Sequence, residues 1–315
     1  MPAPKVGSSQ GLDTVKSFAF TISVPVAICV PGDAPLARAS GLWQRVSMRK
    51  LFVLFCLFLL GASAPPGPER IISLNLCADQ YLLALADPDQ IGALTKFARD
   101  PQMSAAAEKA TNLPTSAGSA EQVLALRPDL VFASSTRRRE TLARLRDRNI
   151  PIIKLPSAKS YGDILDQIRL VAKATGHEER GKRLIDEMDE RLARLPSRPG
   201  RNKVAAYYQR RGFLTGTGTL VDDMMRRLGL TNLASQLGKP SLARVSLEEI
   251  ALARPDYLIV EKGSTRIEDR GTEMLSHPLI RSIPRLEVPQ AWTVCGGPAY
   301  VRALESLSAQ LSADE

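Results

Sequence analysis

The strongest constraint on the fold is a stretch that occurs twice in the chain. The segments "GSAEQVLALRPDLVFA" (118–133) and "VSLEEIALARPDYLIV" (245–260) align without a gap. In each copy a serine that suits a helix N-cap precedes an apolar helical segment, and a proline then ends the helix ahead of an apolar, strand-like run. A helix-to-strand corner that occurs twice predicts a chain built from two similar α/β halves.

Most of the repeat serves folding alone. The third residue after the serine is Gln122 in one copy and Glu249 in the other, which predicts a capping box at each helix start. Glu121 and Glu248 are not needed for these caps. On the residues alone, we interpret these two carboxylates as favourable partners of the helix dipole.

Strands and helices alternate on both sides of a central helical region. From Arg70 onward, short apolar or β-branched runs alternate with amphipathic helices, which predicts parallel sheets with helical crossovers. Residues 160–195 have helical periodicity, interrupted at Gly176 and ended by "PSRPG". We therefore predict an α/β fold of two Rossmann-like lobes with mainly parallel sheets, joined by a long connecting α-helix. The predicted boundaries are an N-terminal α/β lobe at 65–158, a helical connector at 159–195 and a C-terminal α/β lobe at 196–315.

An export signal precedes the first lobe. Residues 48–64, "MRKLFVLFCLFLLGASA", combine a basic start, a short apolar run and a tail of small residues, as a secretory signal peptide does. The apolar run is shorter than the ~20 residues of a transmembrane helix. This layout predicts a soluble exported protein, with cleavage after Ser63 or Ala64. Because such a signal works at a chain start, residues 1–47 are expected to be a wrongly assigned extension or, alternatively, part of a long leader.

Charge argues against nucleic-acid binding. The chain carries 42 Lys and Arg against 33 Asp and Glu, a formal net charge of +9. Beyond residue 64 the two signs are interleaved along predicted helices, and no basic stripe with aromatic residues is present. The mild positive excess is compatible with an anionic ligand.

Cysteine and histidine usage limits metal chemistry. Cys77 and Cys295 are the two cysteines beyond residue 64; in an oxidising compartment they could form a disulfide, and the alternative is two small buried thiols. The only histidines are His177 and His277, too few for the converging ligands of a zinc or manganese site. We therefore expect no metal site and no cofactor.

Six segments in order resemble one protein family: "RIISLNLCADQ", "SAEQVLALRPDLV", "IPIIKL", "IRLVAKATG", "SLEEIALARPDYLIV" and "CGGPAYVRALE". From Arg70 to Leu311 the chain is similar to the periplasmic substrate-binding proteins of ABC importers for iron complexes and cobalamin, whose two lobes are joined by a rigid helix. The resemblance implies a monomeric binding protein rather than an enzyme, which delivers a ferric siderophore or cobalamin to the importer permease at the inner membrane. In that family one glutamate on each lobe docks into the permease. Glu121 and Glu248 occupy the matching positions, so the resemblance assigns them to docking.

Ligand residues are expected where the strands end. A two-lobe α/β protein binds its ligand in the crevice at the carboxyl ends of its strands. Aromatic side chains with Arg and Lys would suit a large anionic iron chelate or the edge of a corrin ring, although each could instead be a core or a solvated residue. The candidates are Asn75, Leu76, Lys96, Phe97, Arg99 and Ser135 in the first lobe, and Tyr208, Gln209, Arg211, Lys262 and Trp292 in the second.

Two other functions stay open on the residues alone. A haem-binding importer protein would need an axial ligand, for which Tyr208 and His277 are candidates. A secreted α/β hydrolase is the enzymatic alternative. No Gly-x-Ser-x-Gly elbow occurs beyond residue 64, however, and two histidines leave little material for a catalytic triad.

Overall fold

The computed structural model of the protein describes residues 67–262 and 270–313. The two segments predicted at the N-terminus, 1–47 and 48–64, lie outside the described residues. The described part contains two separate sheets, each with buried side chains on both faces. The predicted α/β class with two lobes is therefore confirmed.

Lobe 1 contains five short strands and three helices: β1 (Ile71–Ser73), α1 (Leu76–Leu85), β2 (Ile91–Thr95), β3 (Thr115–Ser116), α2 (Ala120–Ala125), β4 (Leu130–Ser134), α3 (Arg139–Arg146) and β5 (Ile152–Leu155). All strand pairs are parallel, in the order β3-β2-β1-β4-β5. The direction of strand addition reverses between β1 and β4. In open parallel sheets the ligand crevice lies at the carboxyl ends of the strands beside such a reversal.

Two helices connect the lobes: α4 (Tyr161–Thr175) and α5 (Glu178–Ala193). Gly176, with φ of +80°, ends α4, and the chain then folds back. A Cβ at Gly181 of α5 would lie 2.5 Å from the Cβ of Ala172, so the two helices pack closely against each other. The connecting helix that we predicted is therefore one arm of a helical pair. At 16 residues, α5 is about 24 Å long.

Lobe 2 contains six strands and six helices within the described residues: β6 (Val204–Gln209), β7 (Phe213–Thr215), α6 (Leu220–Arg227), β8 (Thr231–Asn232), α7 (Leu233–Gln236), β9 (Leu242–Arg244), α8 (Leu247–Ala253), β10 (Tyr257–Glu261), α9 (Arg270–Glu273), β11 (Arg285–Val288), α10 (Gln290–Thr293) and α11 (Ala299–Ala313). The sheet order is β11-β10-β6-β7-β9, and β8 pairs with the first half of β6. β11, β10, β6 and β8 run parallel, whereas β7 is antiparallel to both β6 and β9.

The two sheets share one hydrophobic core. Alternate residues of a strand face opposite sides, so Ile72 and Val131 belong to an outer cluster of lobe 1, whereas Ile71 and Phe132 point inward. The inner cluster continues through α4 to Tyr207 on β6 of lobe 2. Because the inner faces of both sheets contribute to it, large relative motions of the lobes would expose apolar surface and are disfavoured.

The repeated corner adopts the same structure in both lobes. Ser119 accepts a hydrogen bond from the N–H of the third residue after it (3.3 Å), and Ser246 does the same (3.2 Å). The predicted reciprocal bonds, in which the side chains of Gln122 and Glu249 accept from the backbone N–H of Ser119 and Ser246, are absent in these described corners, so each capping box is half formed.

The aspartate of each copy has a second role. Asp129 accepts the backbone N–H of Glu69 at 2.7 Å, beside the start of β1, and Asp256 accepts the N–H of Val204 at 2.7 Å, at the start of β6. Each aspartate therefore attaches its own strand to the central strand of its sheet. This contact gives a structural reason for keeping the aspartate in both copies.

No helix in the described ranges has both the length and the apolar character needed to cross a membrane.

Candidate functional site

A cavity of about 530 Å³ opens at the carboxyl ends of the lobe 1 strands. Residues following each of the five strands contribute to it, because parallel strands end at one edge of a sheet. Its walls include Asn75, Leu76, Lys96, Phe97, Arg137 and Arg138 from lobe 1, and Val294 and Cys295 from lobe 2.

The lobe 1 wall of this cavity is positively charged. Lys96 Nζ lies 5.1 Å from the ring centroid of Phe97, which is 44% exposed. Arg137 and Arg138 follow β4, and the guanidinium of Arg138 donates to the carbonyl oxygen of Gly118 at 2.8 Å. The described residues that line the cavity include these three cations and no carboxylate. An exposed ring beside three cations can bind an anion that also has a flat or apolar portion.

Lobe 2 contributes a smaller pocket of about 200 Å³ at the ends of β6 and β10. Glu261, the last residue of β10, is 9% exposed; burial raises the pKa of its carboxyl, and the charge of Arg210 opposes this shift. The hydroxyls of Tyr207 and Thr293 are hydrogen-bonded at 3.0 Å. Burial, together with the charge of Glu261, raises the pKa of Tyr207 to about 12, so the phenol stays protonated. This wall offers hydroxyl and carboxyl groups.

The two pockets adjoin beside a disulfide, and together we call them the cleft. Val294 lines both pockets. The next residue, Cys295, forms a disulfide with Cys77 in the first turn of α1. The two Cα atoms are 5.2 Å apart, and the residues are separated by 218 positions in the sequence. The bond therefore joins lobe 1 to lobe 2 in the wall of the cleft.

A buried carboxylate supports the lobe 1 wall from behind. Asp79 on α1 is fully buried and accepts hydrogen bonds from the backbone N–H of Thr95 (3.2 Å) and from its hydroxyl. Burial raises the pKa of Asp79 to about 6, although hydrogen bonds from Ser73 and Thr95 lower it. The contact fixes the end of β2, and thereby the position of Lys96, relative to α1.

Several of the predicted ligand residues lie in the cleft. Ser135 is exposed at the end of β4, directly after Ser134 in the cavity wall. Those that line the cleft are Asn75, Leu76, Lys96 and Phe97 in lobe 1 and Gln209 in lobe 2.

The structure places Tyr208 in the core and not in the cleft. Its side chain is 0% exposed, and its hydroxyl donates to the carbonyl oxygen of Val245 at 2.8 Å. The neighbouring residue Tyr207 lines the lobe 2 pocket instead. Successive strand residues point to opposite faces, so an error of one position moves the side chain across the sheet.

Three predicted basic residues also lie outside the cleft walls. Arg99 donates from Nε to the carbonyl oxygen of Ala110 at 3.3 Å and holds the segment after β2. Arg211, with φ of +63°, is exposed in the turn between β6 and β7. Lys262 is exposed, and its backbone N–H donates to the carbonyl oxygen of Val288 at 2.9 Å. The side chains of Arg211 and Lys262 are those of solvated residues.

Trp292 lines a different cavity. It lies below the guanidinium of Arg302, whose Cζ is 4.7 Å from the ring centroid. The cavity beside this pair has a volume of about 440 Å³ and shares none of its lining residues with the cleft. Trp292 therefore lies outside the walls of the cleft.

Sequence reasoning missed Arg138, Tyr207 and Glu261. The position of Glu261 as the last residue of β10 was a usable signal, because strand ends at this edge face the crevice. No such signal in the sequence of β6 shows whether Tyr207 or Tyr208 faces the pocket. All four residues from 205 to 208 are buried, so the strand has no polar face.

The two predicted docking glutamates are both exposed at helix starts. Glu121 Oε1 is paired with Arg144 Nη1 at 2.6 Å. A hydrogen bond from its own backbone N–H, aided by Arg144 and Ser119, lowers the pKa of Glu121. The pKa of Glu248 is lowered in the same way by its own N–H and by Ser246. Both carboxylates are therefore charged at neutral pH, as contact with a basic partner requires.

The described ranges contain no group of three or more His, Cys, Asp or Glu side chains arranged to hold a metal ion. His277, which we considered as a haem ligand, accepts a hydrogen bond at Nδ1 from the N–H of Leu279 (3.2 Å). It lies close enough to Glu248 to affect the pKa of that residue. His277 is thus a neighbour of α8 and does not line the cleft.

Comparisons with known proteins agree with this geometry. Residues 71–286 match the model of a family described as periplasmic binding protein. The vitamin B12-binding protein of Pectobacterium atrosepticum is 25% identical over 265 residues, which cover 81% of this chain and 92% of that protein. A cobalamin-binding protein of Halobacterium salinarum is 23% identical over 214 residues, and the match spans 66% of this chain but only 58% of that relative's length.

Solved structures show the same two-lobe architecture. The periplasmic heme-binding protein RhuT from Roseiflexus sp. RS-1, in apo form, is 26% identical with a TM-score of 0.64, over 78% of this chain and 99% of that one. The periplasmic vitamin B12 binding protein BtuF of Vibrio cholerae has a TM-score of 0.59 at 17% identity, over 79% and 98% of the two chains. This second likeness concerns the fold alone.

Proposed function

From the premise that the chain belongs to the periplasmic binding protein family, we propose that it captures a ferric siderophore or cobalamin in the cleft. It is a binding protein rather than an enzyme, and it delivers this cargo to the permease of an ABC importer. We further propose that it is exported to the periplasm through the signal at residues 48–64 and acts there as a monomer.

The observation that carries the ligand proposal is the shape and charge of the cleft. Two adjoining pockets of about 530 and 200 Å³ suit a ligand larger than an amino acid or a simple ion. Lys96, Arg137 and Arg138 favour an anionic group on the lobe 1 side, and Phe97 offers a face for an extended ring or an apolar surface. Ferric siderophores and cobalamin, with its phosphate, combine these features.

Haem is the second candidate ligand, because the related RhuT structure is that of a heme-binding protein. The two carboxylates of haem would suit the cleft cations Lys96, Arg137 and Arg138. The positions of the two residues considered as axial ligands argue against haem. Tyr208 is buried in the core, and His277 lies beside α8. Tyr207 does line the cleft, but its hydroxyl is bonded to Thr293 and its pKa of about 12 disfavours the phenolate that binds iron.

Titration of the purified protein with three probes tests the ligand proposal. Isothermal titration calorimetry with three probes, the anionic tris-catecholate siderophore ferric enterobactin, cyanocobalamin and haemin, should give saturable binding of one of the first two. Lys96→Gln, which removes a cleft cation, should weaken that binding at least tenfold. Arg99→Gln is the matched control, because Arg99 lies outside the cleft walls, and it should bind as the native protein does.

Two results would count against the proposal. Tight binding of haemin with no response to ferric enterobactin or cyanocobalamin would replace the proposed cargo by haem. Equal losses in Lys96→Gln and Arg99→Gln would show that the cleft cations do not contact the ligand directly.

A further inference from the structure

A second cavity lies between the lobes and is separate from the cleft. Its volume is about 440 Å³. Lobe 1 contributes α1 and the segment 101–109 after β2, and lobe 2 contributes residues 289–302, which include α10 and the start of α11. None of the residues that line it lines either pocket of the cleft, so the proposed cargo leaves this space unfilled.

One wall holds a cation in a fixed position. The guanidinium of Arg302 stacks on Trp292, with Cζ 4.7 Å from the ring centroid, and its Nη1 donates to the carbonyl oxygen of Ala105 across the lobe boundary at 3.4 Å. Stacking orients the guanidinium plane and leaves its remaining N–H groups for other acceptors. A preorganised guanidinium is a strong partner for a carboxylate.

A second wall holds an amide donor without an acceptor. Gln80 on α1 lines the cavity and is 3% exposed, and its Nε2 has no hydrogen-bond partner in the described part of the chain. A buried donor that lacks an acceptor is unfavourable, and native proteins usually supply one. An oxygen acceptor inside the cavity is what this amide lacks.

The charge balance of the cavity favours an anion. Its charged residues are Lys109, Arg191 and Arg302 against Glu108. Arg191 is already committed to Glu305 through two hydrogen bonds of 2.9 and 2.7 Å. Without Arg191, the charged residues of the cavity are Arg302 and Lys109 against Glu108, which leaves one excess positive charge.

The remaining surface is apolar and made of small or flat side chains. It includes Ala84, Ala106, Pro289 and Pro298, beside the larger side chain of Leu83. Walls of alanine and proline leave room for a flat group, and a cavity of this size accepts a molecule with one ring.

We infer that this cavity is an accessory site for a small aromatic carboxylate, whose charge is bound by Arg302, whose oxygen accepts from Gln80 and whose ring packs on the apolar walls. A ligand there contacts both lobes at once, because Gln80 belongs to lobe 1 and Arg302 to lobe 2. The inference is independent of the proposed cargo, since the two sites share no residue.

Benzoate is a suitable probe, and benzamide is its uncharged counterpart of the same shape. Because the cleft cations could also attract benzoate, the decisive measurement uses Lys96→Gln/Arg137→Gln, which lacks two of them. Calorimetry and ligand-observed saturation-transfer NMR on this purified variant should still show one saturable benzoate site and at least tenfold weaker benzamide binding. Arg302→Gln should weaken benzoate binding at least tenfold, and Gln80→Leu several-fold. Arg137→Gln, which removes a cleft cation, should leave it unchanged. Thermal melting curves of each variant verify that it folds.

Three results would overturn the inference. One is the absence of saturable benzoate binding to the native protein at millimolar concentration. Another is binding that Arg137→Gln weakens and Arg302→Gln does not, which would place benzoate in the cleft. The third is equal affinity for benzamide, since the charge of the ligand would then not be recognised. If Arg302→Gln does not fold, the result with Gln80→Leu decides between these outcomes.

Discussion

Lobe 1 presents the ends of five parallel strands to the cleft, whereas the sheet of lobe 2 is interrupted by β7, which runs antiparallel to both of its neighbours, β6 and β9. The lobe 1 cavity is about 530 Å³ and carries Lys96, Arg137 and Arg138. The lobe 2 pocket is about 200 Å³ and carries Glu261 and Tyr207. The repeated corner, in contrast, has the same serine cap and the same aspartate contact in both lobes.

This difference separates what folding requires from what the ligand requires. The aspartate of the corner must meet the start of a central strand in any such sheet, so both lobes keep it. The opposite edge of each sheet lines the cleft in which we propose that the cargo binds, and the two ends of an asymmetric cargo need different groups. Lobe 1 therefore supplies charge and volume, and lobe 2 supplies hydroxyl and carboxyl groups.

The largest expected effect comes from cutting the covalent link between the lobes. The double variant Cys77→Ser/Cys295→Ser removes a bond that spans 218 residues, and the loss of unfolding free energy should be roughly 5 kcal/mol in the chain-entropy model. Urea denaturation measures it. Because both sheets share the inner core, the variant should still unfold in one transition. Native protein unfolded in reductant is the control and should match the variant. Two transitions would show that the lobes are independent units.

The next effect tests the charge difference between the two sides of the cleft. Lys96→Glu/Arg137→Glu places two carboxylates where lobe 1 has cations, and the affinity for an anionic cargo should fall about 1,000-fold, or about 4 kcal/mol. Glu261→Gln in lobe 2 removes one buried carboxyl, whose pKa is raised by burial, and should change the affinity less than about fivefold. Calorimetry with the cargo identified in the probe titration gives both values. A larger loss from Glu261→Gln would reverse the roles that we assign to the lobes.

The two-lobe fold was predictable because several of its features have a local sequence signature. The two copies of the repeat, "SAEQVLALRPDLVFA" and "SLEEIALARPDYLIV", mark one corner in each lobe, and Gly176 marks the end of α4. The folding back at Gly176 was not predictable. The close contact between Gly181 and Ala172 is a tertiary feature, and helical periodicity does not show whether two successive helices continue in line or pack side by side.

The cleft was only partly predictable for a similar reason. Lys96 and Phe97 directly follow a strand, so their place at the crevice follows from topology. Trp292 also lies near a strand end, but α10 carries it to the second cavity. Tyr207 and Tyr208 differ by one position in a strand that is buried on both faces, where the sequence pattern has no phase.

A smaller effect is expected from the carboxylate that supports the lobe 1 wall. Folded Asp79 has a pKa of about 6 because of burial, against 3.8 for the ordinary side chain. Between these values the folded state binds more protons than the unfolded state. The contribution of Asp79 to the free energy of unfolding therefore falls as the pH rises from 4 to 6, by roughly 3 kcal/mol. The variant Asp79→Asn has no titrating carboxyl at this position, so this decrease in the free energy of unfolding with rising pH should be absent.

Urea denaturation of the native protein and of Asp79→Asn between pH 4 and pH 7 measures this contribution. The stability of the variant relative to the native protein should rise with pH through the window and stay constant above it. A difference that does not change with pH would contradict the raised pKa.

In lobe 2 the corresponding helix carries Asp222, which accepts from Asn232 Nδ2 at 3.1 Å and lies 3.6 Å from Arg226 Nε. The buried carboxylate of lobe 2 thus has a nearby cation as well as a hydrogen bond.

The smallest effect distinguishes Glu121 and Glu248, the two glutamates that we propose dock into the permease. Glu121 is paired with Arg144 at 2.6 Å, and no ion pair of Glu248 is found among the described residues. A basic socket on the permease must displace Arg144 from Glu121, so Glu121→Ala should reduce permease binding less than Glu248→Ala, by about two- to fivefold. Arg144→Ala should strengthen binding by a similar factor. Binding to the permease in nanodiscs measures each variant, with Asp186→Ala on α5 as the control carboxylate.

This last comparison tests the docking assignment as well as its asymmetry. An exposed ion pair contributes little, so the two glutamates can differ only modestly if both enter equivalent sockets. If Glu121→Ala and Glu248→Ala both bind the permease as tightly as Asp186→Ala does, the carboxylates serve only their helix starts and the docking proposal is wrong. If both are needed but Arg144→Ala has no effect, Arg144 leaves Glu121 at no cost, and the two lobes present equivalent docking groups despite their different cleft edges.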